Sequence, residues 1–181
     1  LEHIQHGDSY LLNLTFPSKL QINLGLGEVF HLANAKYKLW KKDDFVVFSP
    51  ETFIKIKENQ IFTYPMKGTI DASLLGAENQ LLGNQKEEWE HNTIVDLMRN
   101  DLALVAENIE VLRYRFVEKI KTHKHEILQT SSEICGNLPQ NWKENLGEIL
   151  LKLLPAGSIS GAPKQKTVEI IEKNEVKKRG Y

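Results

Sequence analysis

The sequence predicts an α+β domain, mainly antiparallel sheet with packed helices, and three features point to that class. Short runs rich in β-branched and aromatic residues fill the front of the chain up to Tyr64. A glycine-free stretch after Asn84 repeats apolar residues every three or four positions, and a second amphipathic stretch ends at Pro155.

Tyr10–Phe16, Val29–Ala33, Phe45–Phe48, Thr52–Ile56 and Ile61–Tyr64 read as strands, so the front half is mostly sheet. Phe53–Ile56 and Ile61–Tyr64, separated by Lys57-Glu58-Asn59-Gln60, predict a β-hairpin with Glu58-Asn59 at its tip. Glu51 precedes the outgoing strand and Lys67 follows the returning one, which lets the two meet at the hairpin's open end. From Asn84 to about residue 106, Ile94, Met98, Leu102 and Val105 recur at helical steps. Ile109–Val117 and residues 127–134 read as extended again. Trp142, Leu146, Ile149, Leu150 and Leu153 mark a helix that Pro155 stops, and a glycine-rich loop follows. Pro163 suits the first turn of a last helix, with Val168 and Ile171 inward and Lys177, Lys178 and Arg179 near its end as a solvated cluster.

With 181 residues, 41% apolar and 26% charged, the chain suits one domain or part of one, and no repeat or linker divides it. A formal charge of −1 supplies no global field for nucleic acid or an acidic membrane. Cys135 is the only cysteine, which excludes an internal disulfide and suits a reducing cytoplasm. No apolar run approaches the ~20 residues of a membrane span, and Leu1–His6 lack the basic start and apolar middle of a signal peptide.

On a helical wheel Glu87, Glu90, Ile94, Leu97, Met98, Asp101 and Val105 share an arc of about 100°. Carboxylates on a buried face need a partner or a cation. Two of them a turn apart can reach one divalent ion, while Asn84 with Glu87 also makes a capping box. Read without context, Lys67 is a surface lysine after a strand and Glu51 a solvated turn residue. Gly157–Lys164 lacks the spacing of a nucleotide-binding phosphate loop. It offers amides to an anion, or else a helix C-cap and a tight turn.

Four stretches in order, Ser49-Pro50-Glu51, Pro65-Met66-Lys67-Gly68-Thr69, Glu90-His91 leading into Ile94–Asp101, and Ala156–Lys164, resemble the chorismate-binding enzyme family. The resemblance runs from Gly7-Asp8 to Arg179-Gly180, and Lys67 is similar to the aminodeoxychorismate synthase branch; relatives making anthranilate, isochorismate or salicylate usually carry alanine there. It implies conversion of chorismate and ammonia to 4-amino-4-deoxychorismate, toward para-aminobenzoate and folate, with Mg2+ and with ammonia from a glutamine amidotransferase subunit. By that resemblance Lys67 is the nucleophile at ring carbon 2, and Glu51 is the acid or base at the departing hydroxyl. Thr69 and Ser158 contact the substrate, Gly68 and Gly161 allow close backbone approach, and Glu87 and Glu90 serve Mg2+, with His91 at the edge of the helix face and outside the metal's shell. Lys164 fits either a structural or an active-site role.

Three departures stand beside the match. Leu11 occupies a position where water-activating relatives carry a polar residue, which argues against water attack on the ring. Gln129 replaces a histidine beside the leaving group and leaves more proton transfer to Glu51. The family's gripping tyrosine falls one residue past Tyr181, and its arginine, second glycine motif and last acidic helix are absent too. Residues 1–181 are therefore expected to be a partial catalytic domain. The alternatives are anthranilate synthase component I, disfavoured by Lys67, and a non-catalytic scaffold of the same fold.

Overall fold

The computed structural model describes residues 2–122 and 124–179. Gly180 and Tyr181 lie outside the described residues. The front of the chain forms α1 (Glu2–Gln5), β1 (Leu11–Leu12), α2 (Leu26–Leu32), β2 (Tyr37–Lys41), β3 (Phe45–Ser49), β4 (Lys55–Lys57), β5 (Gln60–Thr63) and β6 (Met66–Asp71). Then come α3 (Ala77–Leu82), α4 (Gln85–Ala103), β7 (Glu107–Lys121), β8 (Glu126–Asn137), α5 (Leu146–Leu153), α6 (Gly157–Ser160), β9 (Gly161–Ala162) and α7 (Lys164–Asn174). Helix and antiparallel sheet thus combine in one α+β arrangement, as the sequence predicts.

β8 organises the main sheet. β7 pairs with it from Glu107↔Asn137 to Lys121↔Glu126, and on its other side β5 and β6 lie end to end. β5 meets residues 134–137 and β6 meets residues 127–131. β4 adds to β5 as a hairpin whose two-residue tip puts Glu58 at φ 57, as the Glu58-Asn59 tip requires.

Helix α4 begins where Asn84 Oδ1 accepts the Glu87 amide at 3.2 Å, and no glycine or proline interrupts it. It lays Ile94, Val95, Met98 and Leu102 on Ile61 and Ile134 of the sheet, with Ile149 and Leu153 of α5 closing the core. Ile61 and Ile134 are wholly buried, and each such side chain contributes about 1.5–3 kcal/mol. Among the described residues no helix is long and apolar enough to cross a membrane.

Several expectations are corrected. Residues 29–32 belong to helix α2, started by a Glu28 carboxylate that accepts the Gly25 amide at 2.8 Å, and Phe30 packs near Trp40 with ring centroids 6.0 Å apart. Of Tyr10–Phe16 only Leu11–Leu12 is strand, because β9 offers two residues to pair with. β4 starts at Lys55, later than Thr52. Lys67 lies inside β6 rather than after the strand. The glycine-rich loop contains the short helix α6, and Pro163 caps α7 instead of entering it. Lys177, Lys178 and Arg179 lie beyond α7, where Arg179 clasps Glu175 with a bond of 3.0 Å. β2, α3 and the full length of β7 and β8 were not foreseen.

Candidate active site at the bulge of strand β6

Lys67 stands opposite Thr130 on β8, and the register then skips Gly68 so that Thr69 meets Gln129. Gly68 sits at φ 83, a conformation open to glycine at little cost, and the skip makes a β-bulge. The Lys67 carbonyl accepts the Thr130 hydroxyl. Helix α4 crosses above, and Lys67 Nζ lies 3.1 Å from Glu90 Oε2, with both side chains about a third exposed (32% and 31%). Lys86 reaches the other Glu90 oxygen at 3.6 Å. The hydrogen bond from Lys67 holds the Glu90 carboxyl below its ordinary range, with both lysine charges adding to the effect. Glu87 closes the same corner, since a Cβ placed on Gly68 would stand 3.3 Å from Glu87 Oε2. Lys67, Gly68, Glu87 and Glu90 are thus brought together from two elements. Thr69 follows on the exposed part of β6.

His91, read from the sequence as an edge residue, is fully buried in the helix face. Its spacing to Val95, Met98 and Leu102 is the apolar stripe itself, a signal that would have placed it inside. Its Nε2 lies 2.7 Å from Ser132 Oγ. Burial first, and then the Arg115 charge, push its pKa down to about 4, so the ring is neutral at ordinary pH.

Glu51 lies past the end of β3, its amide donating to Ser49 Oγ at 3.1 Å. It is half-buried, and burial pushes its carboxyl above the ordinary value. Among the described residues no hydrogen bond or ion pair joins it to Lys67, so the meeting expected at the hairpin's open end is not made in this structure.

The glycine-rich segment is anchored elsewhere on α4. Asp101 is 5% exposed; one of its oxygens accepts the Gly157 amide at 3.1 Å and the other lies 2.8 Å from Lys164 Nζ. Lys164 also donates to Leu153 O at 3.2 Å, which places it in a structural clasp. Gly157 packs against Leu97 and Asp101, about two to three helical turns from Glu90, so Ser158 and Gly161 are not joined to the Lys67 corner. The Ser158 carbonyl accepts from Asn13 Nδ2 at 2.6 Å. Gly161, at φ 122, lets β1 lie against β9, where Leu11 faces Ala162.

Glu87 and Glu90 are a turn apart on one face, while no group of three or more His, Cys, Asp or Glu gathers among the described residues. Such a pair fits Mg2+, an ion that keeps waters and substrate oxygens for much of its octahedron.

The family described as chorismate binding enzyme matches residues 1–181. The chain is 62% identical over 178 residues to an "Uncharacterized PabA-like protein" of Haemophilus influenzae, covering 98% of this chain and 54% of that one. It is 34% identical over 137 residues to anthranilate synthase component 1 of Aquifex aeolicus, covering 73% of this chain and 27% of the relative. Among solved structures, anthranilate synthase component I from Streptococcus pneumoniae superposes with a TM-score of 0.62 at 29% identity, covering 81% of this chain and 32% of the other. The chain spans about half the length of the PabA-like curated relatives it matches.

Proposed function

The chain belongs to the chorismate-binding enzyme family, and on that premise we propose that it is the part of an aminodeoxychorismate synthase component I that carries the lysine nucleophile. The complete enzyme converts chorismate and ammonia to 4-amino-4-deoxychorismate, with ammonia delivered by a glutamine amidotransferase subunit. One observation carries the reading: an amine, Lys67, stands on a bulged strand within 3.1 Å of a carboxylate that shares its helix face with a second one.

The Lys67 nitrogen lone pair forms a bond to ring carbon 2, the two conjugated ring double bonds move from carbons 1–2 and 5–6 to carbons 1–6 and 4–5, and the carbon–oxygen bond at carbon 4 breaks. Glu51, whose carboxyl burial keeps more readily protonated, gives its proton to the departing hydroxide, which leaves as water. Ammonia then bonds to carbon 4, both double bonds return to their first positions, and the lysine amine is expelled, taking up a proton as the incoming ammonia gives one up. The Glu90 contact occupies the Lys67 amine, so that contact opens before attack. Mg2+, when held by Glu87 and Glu90, supplies positive charge for a chorismate carboxylate. Gly68 admits backbone close to the ligand at the Lys67 corner and Thr69 offers it a hydroxyl, whereas the space beside Gly161 is taken by Leu11 of β1, and Ser158 lies on the separate Asp101 segment.

The anthranilate synthase relatives support a second reading in which ammonia attacks the ring directly. A covalent intermediate separates the two. Given chorismate and Mg2+ but no ammonia, the complete enzyme accumulates an adduct on Lys67 with a mass gain of chorismate less one water, seen by intact-protein and peptide mass spectrometry. Lys67→Ala removes it. An adduct that survives Lys67→Ala, or an active wild-type enzyme without one, overturns the proposal and favours direct amination; an inactive enzyme without an adduct favours a scaffold.

A further inference from the structure

His91 takes no part in the chemistry above, yet it is tied to the backbone of Lys67. Its Nε2 is 2.7 Å from Ser132 Oγ, and that oxygen accepts the Arg115 amide at 3.0 Å. The Ser132 amide in turn donates to Pro65 O at 3.0 Å, two residues before Lys67. An amide N–H can only donate, so among the described contacts of Ser132 the hydroxyl proton has one acceptor, His91 Nε2. The opposite assignment leaves a buried hydroxyl proton unpaired. A neutral imidazole with an accepting Nε2 carries its proton on Nδ1. Nδ1 is buried and has no partner of ordinary hydrogen-bond geometry. The ring interacts with the Lys67 backbone, and because Nδ1–H is a donor, the group it meets there is the carbonyl. That carbonyl already takes the Thr130 hydroxyl and has a second lone pair free.

We propose that His91 is a positioning residue: it accepts from Ser132 at Nε2, directs its Nδ1–H to the Lys67 carbonyl, and so fixes where the Lys67 amine stands below Glu87 and Glu90. Fixing is needed here, because Gly68 at φ 83 gives the backbone after Lys67 no side chain with which to hold its conformation. The functional half of this inference rests on Lys67 being the nucleophile; the hydrogen-bond relay does not.

The test begins with the wild-type chain labelled with 15N at histidine, its His91 signals assigned by their loss in His91→Asn. Long-range 1H–15N correlation at neutral pH is expected to show a protonated Nδ1 and a bare Nε2, with Ser132→Ala converting this to a mixture. A proton on Nε2, or on both nitrogens, overturns the relay, and this reading needs no chorismate. In the complete enzyme, His91→Asn places an amide donor near the former Nδ1 and His91→Gln places one near Nε2. His91→Asn is expected to keep kcat within a few-fold, while His91→Gln lowers kcat on the order of tenfold or more with KM unchanged. Equal loss in both variants, tracking their thermal stability, makes His91 merely structural and overturns the positioning role. A missing lysine adduct with the Nδ1–H tautomer intact refutes the amination reading and leaves the relay standing.

Discussion

Replacing Lys164 with methionine should be one of the more damaging changes available near the end of this chain. The side chain is 21% exposed and its ammonium is 2.8 Å from an Asp101 carboxylate that is nearly sealed from solvent. Removing one partner of a buried ion pair costs about 3–5 kcal/mol, because the other charge is left behind. Asp101 retains the Gly157 amide as a donor at 3.1 Å, which places Lys164→Met toward ~2–3 kcal/mol. Asp101→Asn keeps an acceptor for Gly157, and Lys164 keeps Leu153 O, so it costs less, ~1–2 kcal/mol. Once position 101 is neutral, the loss of the lysine leaves no orphan charge. The double variant should therefore be no less stable than Lys164→Met alone, with a coupling of ~1–2 kcal/mol. Urea unfolding of the four proteins, compared at constant m-value, measures this. A Lys164→Met protein within ~0.5 kcal/mol of wild type, or strictly additive effects, would refute the clasp.

Three further outcomes are expected. Gly161→Ala places a Cβ into Leu11 O and within 2.9 Å of Leu11 C at φ 122; it should cost at least ~2 kcal/mol and release the Tyr10 amide from the Ala162 carbonyl, read by hydrogen exchange. Gly147→Ala, with nothing nearby, is the control and should stabilise α5 by ~0.4–1 kcal/mol; an unchanged Gly161→Ala sinks the argument. For Glu51, a folded-state pKa above the unfolded one means that the native state binds its proton more tightly, so stability falls as pH rises through that window. Glu51→Gln should accordingly raise the urea midpoint at about pH 7.5 and leave it unchanged at about pH 3.5, and a midpoint lowered at the higher pH contradicts the burial account. Finally, calorimetry on the complete enzyme should show chorismate binding weakened on the order of tenfold when EDTA replaces Mg2+, since two carboxylates repel a dianion. Equal affinities would remove Glu87 and Glu90 from any metal role.

What could be read in advance was local. The Asn84 cap, the uninterrupted period of α4 and the Glu58-Asn59 tip depend on residues within a few positions of one another, and each appears where it was expected. Val29–Ala33 was misread because five apolar-leaning residues suit either element, and the deciding Gly25–Glu28 contact lies upstream of that window. β2 was missed because its lysines mask a run whose strand character depends on pairing with β3. Helical spacing put Glu87 and Glu90 on one face, but the Lys67–Glu90 contact was not legible, since it joins residues on two elements far apart in sequence. Nor were His91–Ser132 and Asp101–Lys164, which also join residues far apart in sequence, and no periodicity records such pairs.

The doubly partnered strand β8 bears on how this domain can diverge. The length of β8 is held from both sides. One residue inserted after Ser131 would turn every later side chain to the opposite face, swinging Ser132 away from His91 while breaking the match to β5 and β7 together. Lineages that lengthen this domain should therefore do so at the Glu58-Asn59 tip or between Thr122 and His125, where added residues displace no third strand.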